Sequence, residues 1–112
     1  MTNSLAYIHF RARFFENRLE FDEALNYFEQ ALSYEELRQN QQDLSSVLYH
    51  LSLLNFLIGN DRAAIEFAHR CLESTPGHKI ARAILRWCDS EQPVNLRTQT
   101  LLEQFSDEPI PL

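Results

Sequence analysis

FDEALNYFEQAL, residues 21–32, and DRAAIEFAHRCL, residues 61–72, carry small residues at one shared spacing. With the segment before each stretch included, small residues recur at separations of twelve and seven, and the two units lie forty residues apart. Apolar residues three and four positions apart surround them, which is typical of helices with one buried face. Small side chains let two helices cross closely, so the spacing predicts an internally repeated all-α fold. The matched positions are Ala12, Ala24 and Ala31 in the first unit and Ser52, Ala64 and Cys71 in the second.

Composition favours one domain made of long helices. The chain has 112 residues, of which 45% are hydrophobic and 23% are charged, as in ordinary folded domains. Its four prolines all lie beyond residue 75, so no proline interrupts a helix before that point. The net charge of −6 disfavours a protein that binds nucleic acid by neutralising phosphates. We therefore expect no nucleic-acid partner.

The apolar periodicity and the turn residues predict six helices in three hairpins. Their expected bounds lie near residues 3–17, 21–38, 44–58, 62–74, 78–89 and 94–105. We expect a single domain over residues 1–106, followed by a flexible tail at 107–112. Within the domain, two repeats would span about residues 5–38 and 45–78, and residues 79–106 would form a capping hairpin.

The two units resemble the tetratricopeptide repeat, a helical hairpin with a characteristic pattern of large and small residues. Three positions depart from that pattern: Arg11 stands where leucine is usual, Asn55 replaces an aromatic residue and Cys71 replaces an alanine. The resemblance implies a right-handed α-solenoid of antiparallel helix hairpins. The residues that carry it are Ile8, Ala12, Phe15, Phe21, Ala24, Phe28 and Ala31 in the first copy, and Leu48, Leu51, Ser52, Gly59, Ala64 and Pro76 in the second.

In the tetratricopeptide family, the first helix of each hairpin lines a concave groove that binds other proteins. The resemblance therefore implies a non-catalytic adaptor or assembly factor that holds a segment of a partner protein. Chaperone-binding members of this family hold the terminal carboxylate of their partner with a clamp of groove residues. This chain has no such clamp at the matching positions. An alternative is that the apolar members of the groove pack against the fifth helix or against the C-terminal helix. The groove residues carried over to this chain are His9, Arg13, Glu16, Tyr49, Leu53 and Phe56.

A second surface and two other functions remain open. Lys79, Arg82 and Arg86 form a basic strip, which is either a contact for an acidic partner or a solvated capping face. The chain could instead be a self-associating structural protein, such as a homodimer, whose groove is filled by another copy or by its own tail. A small dedicated secretion or assembly chaperone is the third interpretation.

The sequence shows no pattern typical of a catalytic, cofactor-binding or metal site. Cys71 and Cys88 are seventeen residues apart and lack CxxC spacing, and no glycine-rich phosphate loop occurs. The four histidines fall on different predicted helices or faces. We therefore expect no enzyme activity and no cofactor. No basic segment followed by an apolar run opens the chain, and no window has the ~18 apolar residues of a membrane helix, so we expect a cytoplasmic protein without membrane insertion.

Overall fold

The computed structural model of the chain describes residues 5–38, 41–89 and 93–104. Six α-helices and one 3-10 turn account for most of these residues, and no strand occurs among them. The all-α prediction is confirmed. The expected start of the first helix at residue 3 and the tail at 107–112 lie outside the described residues. The helices are α1 (Leu5–Asn17), α2 (Phe21–Arg38), α3 (Gln41–Ile58), α4 (Asp61–Ser74), α5 (Lys79–Cys88) and α6 (Arg97–Gln104), with the 3-10 turn at Val94–Leu96.

The turns after α1 and α3 are built in the same way. Leu19, two residues after the end of α1, has a left-handed φ of 61°, and the amide of Glu20 donates to the carbonyl of Phe15 at 2.9 Å. Gly59, the residue after the end of α3, has a φ of 89°, and the amide of Asn60 donates to the carbonyl of Asn55 at 2.8 Å. A left-handed residue that closes the last turn satisfies carbonyls the helix leaves unpaired. α2 and α4 therefore fold back on the helices before them.

The small residues of the repeated pattern lie where helices meet. All six are completely buried, which fits the close helix crossings that the spacing predicts. At one of these positions, the hydroxyl of Ser52 donates to the carbonyl of Ala64 at 2.8 Å, so a buried polar group is satisfied across the α3/α4 contact. The core consists of two buried clusters, one centred on α1, α2 and α3 and the other on α3, α4 and α5.

α6 packs against α3, and the capping hairpin expected over residues 79–106 stays a prediction. Arg97 accounts for this position. Its guanidinium donates to the carbonyl of Phe56 at 2.9 Å, lies 4.5 Å from the centroid of the Phe56 ring, and makes a two-pronged ion pair with Asp61. The hydrogen bond from Arg97 to Asp61 raises the pKa of Arg97. The start of α6 is thereby fixed to the end of α3 and the start of α4.

Among the described residues, no helix combines the length and the apolar character that crossing a bilayer requires.

Candidate functional site

The three apolar residues of the predicted groove are not accessible. Tyr49, Leu53 and Phe56 on α3 are only 2%, 4% and 0% exposed. The Tyr49 ring lies 4.6 Å from the ring of His78, just before α5, and the Phe56 ring lies 5.6 Å from that of Trp87 on α5. α5 therefore fills the space that an open groove would leave. In the structure these side chains pack inside the fold, as the alternative interpretation expected. The prediction that they face a partner protein is corrected.

Glu16, the last groove residue predicted on α1, is engaged inside the fold. Its Oε2 lies 2.7 Å from Nδ1 of His50 on α3, and both side chains are largely buried. The His50 ring stacks on Phe28, with ring centroids 4.7 Å apart. The pair links α1 to α3, and a partner protein would have to break it to reach the Glu16 carboxylate.

His9 and Arg13, the two remaining groove residues, lie together in an open depression on α1 of about 410 Å³. His9, Arg13 and Asn17 form one polar row, four residues apart. Phe10 and Phe14 form an aromatic row beside it, also four residues apart. Residues four apart stack one above the other on a helix, so the polar and aromatic rows run side by side. We call this site the α1 depression.

The aromatic row continues onto a wider exposed surface. Tyr7, Phe10 and Phe14 are 44%, 64% and 40% exposed, which is unusual for aromatic side chains of a small folded domain. The guanidinium carbon of Arg11 lies 4.9 Å from the centroid of the Phe15 ring, and that of Arg18 lies 5.3 Å from the centroid of the Phe14 ring. We call the surface formed by Tyr7, Phe10, Arg11, Phe14 and Arg18 the aromatic-arginine face.

The polar row contains one cation without a charged partner among the described residues. His9 Nε2 lies 3.7 Å from Oε1 of Glu35 on α2, a carboxylate that Arg38 also approaches at 3.4 Å. Arg13 makes no ion pair or hydrogen bond with the described residues, and its buried Nε has no hydrogen-bond partner. Arg11 Nε on the same helix is also buried and unpaired, but only Arg13 lines the open depression, so its half-buried guanidinium is the one that an anionic group from outside the fold can approach.

Burial holds the other perturbed groups in their neutral forms. Burial is the largest effect on each: it raises the pKa of the Cys71 thiol, raises that of Cys88 to about 11, and raises the pKa of the Tyr49 hydroxyl. Burial, followed by the nearby His50, lowers the pKa of His78. An activated cysteine needs a lowered pKa, and neither thiol has one. No group of three or more His, Cys, Asp or Glu side chains within the described ranges is arranged to hold a metal ion.

The basic strip of Lys79, Arg82 and Arg86 is exposed on α5. The opposite side of α5 carries the buried residues Ile80, Ala83 and Ile84, which pack on the core. This is compatible with either interpretation of the strip, and its contact with an acidic partner stays a prediction.

Sequence reasoning missed the exposed aromatic face, although α1 carries a signal for it. Tyr7, Phe10 and Phe14 recur at spacings of three and four, as do the buried Ile8 and Ala12 and the partly buried Phe15 on another side of the helix. A surface helix with apolar residues on two sides has more apolar surface than one neighbouring helix covers.

Comparison with protein-family models, with curated proteins and with solved structures finds no match to this chain.

Proposed function

We propose that the chain is a non-catalytic protein-interaction module, a cytoplasmic adaptor or assembly factor that binds a segment of a partner protein through α1. The observation that carries the proposal is the aromatic-arginine face, where three aromatic side chains stay exposed beside two arginines. The partner surface that we propose is therefore the outer side of α1, in place of the groove on α3 that the sequence predicted.

The residue types on this face are those that dominate protein interfaces. Tyrosine, tryptophan and arginine are enriched among the residues that contribute most to binding, and contiguous exposed apolar patches mark interaction sites. Phe10 and Phe14 lie one helical turn apart, with ring centroids at 6.3 Å. Two adjacent rings on a rigid helix can accept an apolar side chain at little cost in conformational entropy.

A tetratricopeptide-like right-handed solenoid is the architecture that we propose for this module. Two features support it: the small residues of both units are buried, and the turns after α1 and α3 share one design. Consecutive helices from α1 to α5 pack on one another, and α3 also contacts α5. Stacked hairpins make the same contacts in helical repeat proteins.

The non-catalytic character is supported by the state of the reactive groups. Both cysteines have raised pKa values, and the Tyr49 hydroxyl is buried without a hydrogen-bond partner. Burial disfavours the charged forms that nucleophilic and general-base catalysis require.

The test compares wild-type protein with a Phe10→Ala/Phe14→Ala variant and a Leu96→Ala control. Leu96 is also exposed, but it lies in the 3-10 turn before α6. Each protein, shown to be helical by circular dichroism, is used to capture partners from the native cell lysate. We expect a stoichiometric partner on the wild type and the control that is missing from the double variant. Identical captured proteins on all three would contradict the proposal.

Self-association is a second candidate, because exposed aromatic side chains on a small domain can be covered by a second copy. The aromatic-arginine face would then bury itself against a second copy. Sedimentation velocity distinguishes the two functions: a wild-type dimer that Phe10→Ala/Phe14→Ala converts to a monomer favours self-association, and a wild-type monomer excludes it.

A further inference from the structure

The charge distribution of α1 differs from that of the whole chain. The chain has a net charge of −6, yet its first helix carries two arginines and a single acidic residue. That residue, Glu16, turns inward onto His50. Arg18 follows directly after the helix but makes an exposed ion pair with Glu20 at 3.5 Å, so the positive charge of this region comes from Arg11 and Arg13. The outer side of α1 is therefore a cationic region on an acidic protein, and its field favours anionic segments.

Within this region, Arg13 provides a specific contact point. Its Nε is buried and has no hydrogen-bond partner, although it lines an open depression. A carboxylate accepts from a guanidinium through two parallel hydrogen bonds, which are stronger than bonds between neutral groups. Such a contact would give the half-buried Arg13 side chain an ion pair at the open side of the depression.

The aromatic row requires an apolar residue in the bound segment, next to the acidic one. Phe10 and Phe14 lie directly beside His9 and Arg13, so a carboxylate bound at Arg13 brings the neighbouring residue of its chain onto the two rings. Residues four apart on a helix are separated by about 6 Å along the axis. Alternate residues of an extended chain are about 6.6 Å apart. An extended segment along α1 can therefore place one side chain beside each residue of the polar row and the next side chain beside each residue of the aromatic row.

From this arrangement we infer that the α1 depression binds an extended segment of another protein in which acidic residues alternate with apolar ones. The carboxylates lie along His9 and Arg13, and the apolar side chains lie on Phe10 and Phe14. The inference rests on the proposed interaction function and names the chemistry of its partner.

The experiment selects peptides from a displayed library of random twelve-residue sequences on the immobilised full-length chain. We expect the enriched peptides to place Asp or Glu beside Leu, Ile, Phe or Val. In fluorescence anisotropy, Arg13→Gln should weaken the best peptide about tenfold or more, because a charge-assisted contact is lost. The matched control Arg62→Gln, at an exposed position on α4, should change affinity less than twofold.

Three results would overturn the inference: enrichment of peptides without acidic residues, no enrichment, or equal affinity of the best peptide for wild type and Arg13→Gln. Arg13→Lys keeps the charge but not the two-pronged geometry, and it should bind with intermediate affinity if the variant is folded. A lysate partner that depends on Phe10 and Phe14, together with selected peptides that are not acidic, would leave the interaction function in place and reject this inference alone.

Discussion

Arg97 fastens the start of α6 to the end of α3, and its replacement by methionine is expected to loosen this junction without unfolding the chain. Methionine retains an unbranched apolar stem but cannot donate a hydrogen bond or carry a charge. The substitution removes the bond to the Phe56 carbonyl, the ion pair with Asp61 and the contact with the Phe56 ring.

The loss in the free energy of unfolding depends on how well the partners of Arg97 are satisfied once its side chain is replaced. The Phe56 carbonyl still accepts from the Gly59 amide, so losing Arg97 there costs about 1 kcal/mol. The Asp61 side chain is 38% exposed, so water replaces much of its ion pair and the loss is about 0.5 kcal/mol. The cation–π contact adds about 0.5 kcal/mol. Together they lower the free energy of unfolding by about 2 kcal/mol, or the melting temperature by roughly 8 °C.

Urea unfolding followed by circular dichroism and by tryptophan fluorescence measures this loss. Trp87 is the one tryptophan of the chain, and its ring lies against Phe56, so its emission reports on this junction. Arg86→Met, on the exposed side of α5, is the control and should change stability by less than about 0.5 kcal/mol. A similarly small loss for Arg97→Met, or additivity with Asp61→Asn in a double-mutant cycle, would refute the reasoning.

Three further predictions concern buried groups and one turn. Tyr49→Phe should raise the free energy of unfolding by about 1 kcal/mol in urea titration, because the Tyr49 hydroxyl is buried without a hydrogen-bond partner. Gly59→Ala should lower it by about 2 kcal/mol, because φ is 89° and the added Cβ would lie 2.9 Å from a methyl carbon of Val94. Burial raises the pKa of Cys88 from 9.0 to about 11. At pH 9, about one in a hundred of these thiols is then ionised in the folded chain, against about half in the unfolded chain. Iodoacetamide should therefore modify Cys88 roughly fifty times more slowly in the folded chain. Because the unfolded thiol loses its proton first, the stability from Cys88 is complete below pH 9 and declines as pH rises towards 11.

Each of these predictions has an outcome that contradicts it. A loss of stability in Tyr49→Phe would mean that the hydroxyl has a stabilising partner. Unchanged stability in Gly59→Ala would mean that the turn tolerates a side chain and that Val94 moves away. Equal alkylation rates for folded and unfolded Cys88, read by peptide mass spectrometry, would mean that burial does not hold the thiol neutral.

The helices could be predicted from sequence because their signals are local. Ala24 and Ala31 mark one face by their spacing, and Gly59 marks a turn by its backbone freedom. Whether Tyr49 and Phe56 face a partner or the core is not a local property. Both situations give the same spacing of three and four, and the answer depends on where α5 packs.

The position of α6 depends on a contact that sequence patterns do not reveal. Arg97 and Phe56 are 41 residues apart, and their hydrogen bond joins a side chain to a main-chain carbonyl. Any residue type supplies such a carbonyl, so no pair of residues in the sequence indicates the contact. The pair of Glu16 and His50 was not predicted either, because its residues are 34 positions apart and no local pattern links them.

Photo-crosslinking in native cells tests most directly the claim that α1 presents the binding surface. A benzophenone amino acid is placed at Phe10 in one protein, and at the exposed control positions Leu96 and Arg82 in two others. We predict a partner adduct of discrete mass from position 10 and none from the two controls. Adducts from position 82 or 96 without one from position 10 would contradict the account, because the partner would then contact α5 or the turn before α6.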